Sequence, residues 1–149
     1  MKKIRLVIVG ASGRMGRALA RISSSDLRFE LVAVVTGRNV SPIDGISCPL
    51  FAINQLGELP GFDVLIDFSQ PEAFESILDL CKTRKTAMVS GTTGLTDSLR
   101  NLMVDSARDI PVLWASNFSL GVAVLNDLVR RAAKVLENWG VDITETHHV

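Results

Sequence analysis

The first twenty residues constrain the fold most, because a strand-like apolar run leads into a glycine-rich turn and then a helical pattern. The run covers residues 4–9, and glycines follow at positions 10, 13 and 16. Glycine allows a tight turn, a close approach of the backbone to a phosphate and close packing of a helix on a strand. The helix directs free N–H groups and its positive dipole end to the same place. This arrangement is typical of a dinucleotide-binding turn.

The glycine spacing is G-x-x-G-x-x-G, with Ser12 where the commoner pattern has its second glycine. Arg14 and Arg17 fall in the first helical turn, where cations oppose the helix dipole unless an anion lies near. The alternative is an ordinary strand–turn–helix with exposed arginines. Both interpretations stay open at this point.

Short apolar runs alternate with helical patterns along the rest of the chain. We predict strands at residues 29–36, 50–53, 62–68, 86–90, 111–115 and 141–148, and helices at 13–23, 96–107 and after 119. A further helix should begin near Pro71, with Ser69 as its cap, Glu72 closing a capping box and Cys81 in the core. Such alternation predicts an α/β fold, a Rossmann-like doubly wound parallel sheet with helices on both faces.

Length and composition exclude several classes of protein. The 149 residues suit a single domain, and 16 basic and 16 acidic side chains balance, so nothing favours a nucleic-acid partner. Cys48 and Cys81 are far apart and resemble reduced thiols. The chain has no secretory signal and no apolar stretch near the roughly 20 residues of a membrane span. We therefore expect a soluble, cytoplasmic protein that acts on a small molecule, with no membrane partner.

Clusters rich in Gly, Ser, Thr and Asn directly follow the predicted strands. They cover residues 10–16, 36–39, 68–72, 91–94 and 116–119. The carboxyl ends of parallel strands share one edge of a sheet, where ligands bind. Each cluster alone could be an ordinary turn, but together they predict a binding edge.

The end of the second strand bears on cofactor choice. NAD enzymes usually carry an acid there for the ribose 2′-hydroxyl, whereas Thr36, Gly37, Arg38 and Asn39 include none. Donors and a positive charge suit a 2′-phosphate, so we expect NADPH to be preferred, with NADH possible. The alternative is that Arg38 is only a surface loop residue.

His147 and His148 are the two histidines of the chain. Neighbours on a strand point to opposite faces, so the pair does not suggest a shared metal ion, and we expect no metal site. One imidazole facing the ligand edge could serve as an acid or base near neutral pH. Two exposed terminal histidines are the equally weighted alternative.

Five segments together resemble the bacterial 4-hydroxy-tetrahydrodipicolinate reductase (dihydrodipicolinate reductase) family, and they span essentially the whole chain. They are residues 9–16, 66–72, 90–94, 115–122 and 145–148. The resemblance implies pyrophosphate binding by Gly10, Ala11, Ser12, Gly13, Arg14 and Met15. It places the adenosine ribose end at Thr36 and Arg38. It implies further cofactor contacts at Phe68, Gly91, Thr92, Thr93, Ala115, Ser116, Asn117 and Phe118.

The resemblance also implies an activity. The family reduces a cyclic imine of the diaminopimelate–lysine pathway with hydride from NAD(P)H and assembles as homotetramers through a second domain. His147 matches its acid/base histidine, and His148 a residue that meets substrate carboxylate. Residues 1–140 would form the cofactor domain and 141–149 the start of the substrate domain.

Two departures from the family pattern carry expectations of their own. An acid that the family often has near Thr36 is missing, which favours NADPH. The chain also stops before the catalytic lysine and the Ser-Gly-Thr substrate loop. We therefore expect a truncated chain or fragment that binds the cofactor without turnover, as a monomer or weak dimer.

Overall fold

A computed structural model of the chain describes residues 2–38 and 42–144. The chain divides into two compact units, one up to Ser116 and one from Asn117 onwards. The first unit contains all the strands found in the described residues, and the second contains one long helix. The ligand-edge clusters up to residue 94 belong to the first unit.

The first unit is a six-stranded sheet with the order β3-β2-β1-β4-β5-β6, and all its pairs are parallel. The strands are β1 Ile4–Val9, β2 Phe29–Thr36, β3 Leu50–Ala52, β4 Val64–Asp67, β5 Ala87–Ser90 and β6 Val112–Trp114. The helices are α1 Arg14–Ser25, α2 Pro71–Arg84 and α3 Asp97–Ser106, with a 3₁₀-helix at Ile53–Glu58. This parallel sheet with its helices confirms the α/β prediction. Its near-continuous apolar strands are typical of a parallel sheet covered on both faces.

The strands end in register at one edge. Val9 at the end of β1 pairs with Val35 on one side and with Asp67 on the other, and Asp67 is paired in turn with Ser90. The core lies on both faces of this sheet. It includes Cys81, as predicted, and burial raises the pKa of its thiol to about 11. A buried thiol of this kind is inert.

The start of α2 differs from the prediction. The helix begins at Pro71, as expected, but its N-cap is Gln70, which makes no side-chain capping bond. Ser69 does not cap the helix, because its hydroxyl donates to Asp67 instead. The predicted capping box with Glu72 was therefore wrong. The reason is that the buried carboxylate of Asp67, at the end of β4, competes for the Ser69 hydroxyl.

Other differences concern the ends of elements. The strand predicted at 62–68 is shorter, with Phe62 buried in the core before β4 begins. The segment after β3 is a 3₁₀-helix, which the sequence did not predict because glycines and prolines in this region indicate loops. The strand predicted at 141–148 was wrong for Val141–Thr144, which have no regular structure. Its remaining residues lie outside the described part of the chain.

The second unit is built on α4, Leu120–Val135. The Ser119 hydroxyl caps it by accepting from the backbone N–H of Val122, and the Asn117 side chain accepts from the N–H of Ser119. None of the α4 residues is buried. Across the residues that the structure describes, no helix combines the length and apolar character needed to cross a membrane.

Arg5 and Asp63 form an ion pair at the edge opposite the clusters. Arg5 Nη2 lies 2.8 Å from Oδ1 of Asp63, and its backbone N–H donates to Oδ2 at 2.9 Å. The hydrogen bond from the Arg5 side chain lowers the pKa of Asp63 from 3.8 to about 2. A carboxyl with a lowered folded-state pKa stabilises the fold above its unfolded pKa and loses that effect as the pH falls through the folded one.

We therefore expect Asp63→Asn to be less stable than the parent at neutral pH, with the difference shrinking as the pH falls from about 4 to about 2. Urea unfolding at several pH values measures it. Asp105→Asn is the control, because Asp105 lies 3.6 Å from Arg108 on an exposed surface, where such pairs contribute little. A difference between Asp63→Asn and the parent that is constant with pH would contradict the assignment.

Candidate functional site

The glycine turn between β1 and α1 is tightly packed against two backbones. Gly10 has a φ of +79°, and a Cβ there would collide with the carbonyl group of Phe68. A Cβ at Gly16 would collide with the Gly10 carbonyl and lie 2.7 Å from Cα of Ala11. The N–H groups of Gly10 and Ala11 both donate to Val35 at 3.0 Å. These contacts fix the turn at the end of β1.

The N-terminus of α1 is suited to an anion. Its N-cap, Gly13, offers no side-chain acceptor, and the first turn holds no acid. Arg14 and Arg17 are exposed, and neither forms an ion pair with any residue in 2–38 or 42–144. Uncapped N–H groups and two free cations together favour a phosphate at this end of the helix.

A cavity of about 340 Å³ lies directly over this turn. Three of the predicted clusters meet in its wall, because the ends of β1, β2 and β4 are neighbours in the sheet. The lining residues are Val9, Gly10, Ser12, Gly13, Thr36, Gly37, Arg38, Ile53, Phe68, Ser69, Gln70, Glu72 and Ala73. Ile53 comes from the unpredicted 3₁₀-helix. It adds an apolar wall that sequence analysis missed.

The charges around the cavity are unevenly placed. Thr36 is buried and Arg38 is exposed at the end of β2. Arg38 forms no ion pair with the residues that the structure describes. Glu72 lines the cavity at the start of α2, as part of the β4 end. The cavity therefore has a positive group at the β2 end and an acid at the β4 end.

The residue that organises the edge is Asp67, which sequence analysis quoted only within a motif. Its side chain is fully buried. Oδ1 accepts from the backbone N–H of Ser69 at 2.9 Å and from its hydroxyl. Oδ2 accepts from the hydroxyls of Ser90 at 2.9 Å and Thr92 at 2.7 Å. An acid at the end of a buried apolar strand, with Ser69 two residues later, was the available signal.

The fourth cluster is held against the third. The N–H of Gly91 donates to the carbonyl of Asp67 at 2.8 Å, and a Cβ at Gly91 would collide with the ring of Phe68. Thr92 is buried, with its hydroxyl on Asp67, while Thr93 is exposed. The indole N–H of Trp114 donates to the Thr92 carbonyl at 2.9 Å. Residues 91–93 thus form a fixed turn beside Phe68.

The remaining predicted residues are placed separately. The N–H of Ala115 donates to the carbonyl of Ser90 at 3.2 Å, so Ala115 continues the edge after β6. Ser116 ends the first unit, and Asn117 and Phe118 begin the second. Met15 is exposed on α1. The two histidines, 147 and 148, lie outside the described residues, as does Asn39.

Residues 4–118 match the family model described as "Dihydrodipicolinate reductase, N-terminus". A 4-hydroxy-tetrahydrodipicolinate reductase from Xanthomonas axonopodis pv. citri is 51% identical over 148 residues, covering 98% of this chain and 61% of that protein. One from Xylella fastidiosa is 49% identical over 150 residues, covering 98% and 62%. The chain thus spans about three-fifths of the length of these relatives.

Solved structures share the fold. Dihydrodipicolinate reductase from Paenisporosarcina sp. TG-14, with dipicolinate bound, superposes with a TM-score of 0.72 at 24% identity, over 89% of this chain and 54% of that one. An oxidoreductase from Agrobacterium radiobacter, in complex with NAD⁺, L-tartaric acid and magnesium, gives 0.63 at 14% identity, over 89% and 41%. At these sequence identities the solved structures show only that the fold is shared, whereas the sequence matches show the family. The chain belongs to the dihydrodipicolinate reductase family, whose N-terminal part it contains.

Proposed function

We propose that this chain forms the cofactor-binding half of an NAD(P)H-dependent 4-hydroxy-tetrahydrodipicolinate reductase of lysine biosynthesis. The observation that carries the proposal is the cavity in which the glycine turn and the ends of β2 and β4 meet. Sequence relatives that carry this reductase name support the reaction class. Binding of a nicotinamide dinucleotide is the part of the reaction that the described residues can perform.

The residues present fit a dinucleotide. Gly10 and Gly16 let the end of β4 and the start of α1 pack directly against the glycine turn, and the uncapped start of α1 offers N–H groups to a pyrophosphate. Arg38, at the end of β2, suits a ribose 2′-phosphate, because guanidinium–phosphate bonds are strong and geometrically specific. The bound cofactor would supply the hydride. The protein's own groups would bind the cofactor and orient it so that its nicotinamide half lies near residues 91–93.

The roles of the chain's last residues follow from the resemblance. We propose His147 as the acid/base group and His148 as a contact of the substrate carboxylate, in a second domain that begins near residue 141. The whole protein would then work on a small-molecule substrate as a homotetramer. This chain alone would be a monomer or weak dimer that binds the cofactor without turnover. Sedimentation measures its assembly, and a steady-state assay measures its turnover.

Calorimetric titration of the chain with NADPH and NADH tests the proposal. We expect NADPH to bind about tenfold more tightly, because a charge-assisted hydrogen bond to the 2′-phosphate contributes about 1.5 kcal/mol at a partly exposed site. Arg38→Gln should lose that advantage and leave NADH binding unchanged. Arg21→Gln is the matched control, since Arg21 is exposed on α1 and does not line the cavity.

The outcomes separate the parts of the proposal. Equal affinity for NADPH and NADH would overturn the cofactor preference and leave the site standing. An Arg38→Gln variant that keeps its preference for NADPH would remove Arg38 from the 2′-phosphate. If the parent chain bound neither dinucleotide, the assignment of a complete cofactor site to these residues would fail.

A further inference from the structure

We propose that Asp67 is a positioning residue that sets the turn of residues 91–93 at the correct distance from the glycine turn for a whole dinucleotide. The inference rests on the proposed function and extends it to a residue that does not line the cavity. Asp67 acts through the two loops that it joins. It contacts neither half of the cofactor itself, because its side chain is fully buried.

The sheet places Asp67 between the two parts of the site. Its neighbour in β1 is Val9, immediately before the glycine turn, and its neighbour in β5 is Ser90, immediately before the second turn. A carboxylate removed from water is costly unless hydrogen bonds replace those it loses. The bonds made by Asp67 come from neutral donors on both sides, so the two loops are ordered together.

The two carboxylate oxygens divide the work. Oδ1 binds the backbone and hydroxyl of Ser69, which lines the cavity. Oδ2 binds the hydroxyls of Ser90 and Thr92, which flank Gly91. The Ser90 hydroxyl also accepts from the N–H of Thr92 at 3.2 Å, closing a small ring under the turn. Moving the carboxylate away from these hydroxyls would release the turn of residues 91–93, whereas the N–H of Gly10 is also held by the carbonyl of Val35.

Phe68 transmits the same constraint on the outer side. Its carbonyl lies where a Cβ of Gly10 would be, and its ring lies where a Cβ of Gly91 would be. The segment after Asp67 is thus packed between both turns with no space to adjust. Asp67 fixes this segment from beneath, while Trp114 fixes the far side of Thr92.

The positioning role predicts different effects on a whole cofactor and on half of one. NADPH must reach both turns, whereas 2′-phospho-ADP carries only the adenosine and pyrophosphate half. Thr92→Val removes one hydrogen bond to Asp67 and keeps the shape of the side chain. We expect it to weaken NADPH about fivefold and to leave 2′-phospho-ADP within about twofold of the parent. Displacement of NADPH measures the weaker ligand.

Two further variants complete the experiment. Asp67→Asn keeps the shape of the side chain, but its amide N–H groups face hydroxyls that donate to the carboxylate in the parent protein. It should therefore give the same selective loss, about tenfold for NADPH. Thr86→Val is the matched control, because Thr86 is also buried and directly precedes β5, but makes no hydrogen bond to Asp67. It should bind both ligands like the parent.

Each outcome decides something. If Thr92→Val and Asp67→Asn weakened both ligands equally, Asp67 would have only a general structural role, and the positioning role would be overturned. The same holds if neither ligand were affected. If the parent chain bound both ligands and every variant bound them with the same affinities as the parent, the proposed function would stand and only this inference would be overturned. A parent chain that bound neither would overturn both.

Discussion

Replacing Gly10 with alanine should lower the free energy of unfolding by about 3 kcal/mol and weaken NADPH binding about 100-fold. Two costs add at this position. The φ of +79° is strained for any residue with a Cβ, and that Cβ would collide with the backbone carbonyl of Phe68. A backbone atom cannot rotate away as a side chain can. The end of β4 would have to separate from β1, and the cavity over the glycine turn would widen.

Two control variants separate the costs at Gly10. Gly45 also has a positive φ, of +78°, but a Cβ there would meet nothing within 4 Å. Gly45→Ala therefore measures the backbone strain alone, about 1 kcal/mol. Gly57→Ala has open space and an ordinary φ, so it should change stability by less than about 0.5 kcal/mol. Urea unfolding and NADPH titration of the three variants test the argument, and equal losses for Gly10→Ala and Gly45→Ala would contradict it.

Replacing Gly16 with alanine should destabilise the protein by about 2 kcal/mol, although alanine is the better helix former by about 1 kcal/mol. Gly16 is buried in the first turns of α1, where a Cβ would collide with the Gly10 carbonyl and crowd Ala11. The helix would have to move away from the glycine turn. Its N–H groups would then be misdirected, and we expect NADPH binding to fall about 30-fold.

Gly121 provides the matched control for Gly16. It lies in the first turn of α4, where a Cβ would make only an ordinary contact of 3.7 Å with the Ser119 hydroxyl. Gly121→Ala should therefore keep or slightly raise stability, following helix propensity. Thermal and urea unfolding measure both variants. A Gly16→Ala variant as stable as Gly121→Ala would show that α1 does not need the close approach.

The features of this fold that the sequence predicts are those set by local pattern. The apolar run before Gly10 and the glycines at 13 and 16 predicted β1, the turn and α1, because their periodicities and breakers act over a few residues. The parallel sheet followed from the alternation of strands and helices. Three predicted clusters do line one cavity, since the ends of parallel strands meet at one edge.

The features that were missed depend on contacts between distant residues. Ser69 has the sequence of a helix cap, yet a buried carboxylate attracts its hydroxyl more strongly than the helix end does. Nothing in the sequence indicated that the Thr92 side chain is buried with its hydroxyl on Asp67 while Thr93 is exposed, and the cofactor contact expected at Thr92 stays a prediction. Val141–Thr144 show β-like alternation but have no regular structure. Propensity alone does not form a strand.

The position of β1 in the middle of the sheet also sets the order in which this protein can fold during synthesis. β1 is made before the two strands that flank it, β2 and β4, and the backbone N–H of Arg5 in β1 donates to Asp63, 58 residues further on and just before β4. Until β4 is made, one side of β1 has open hydrogen-bonding groups and apolar side chains. Closing so long a loop is slow, and an unpaired strand invites aggregation. We therefore expect a nascent chain that ends before β4 to aggregate more readily than one that includes it.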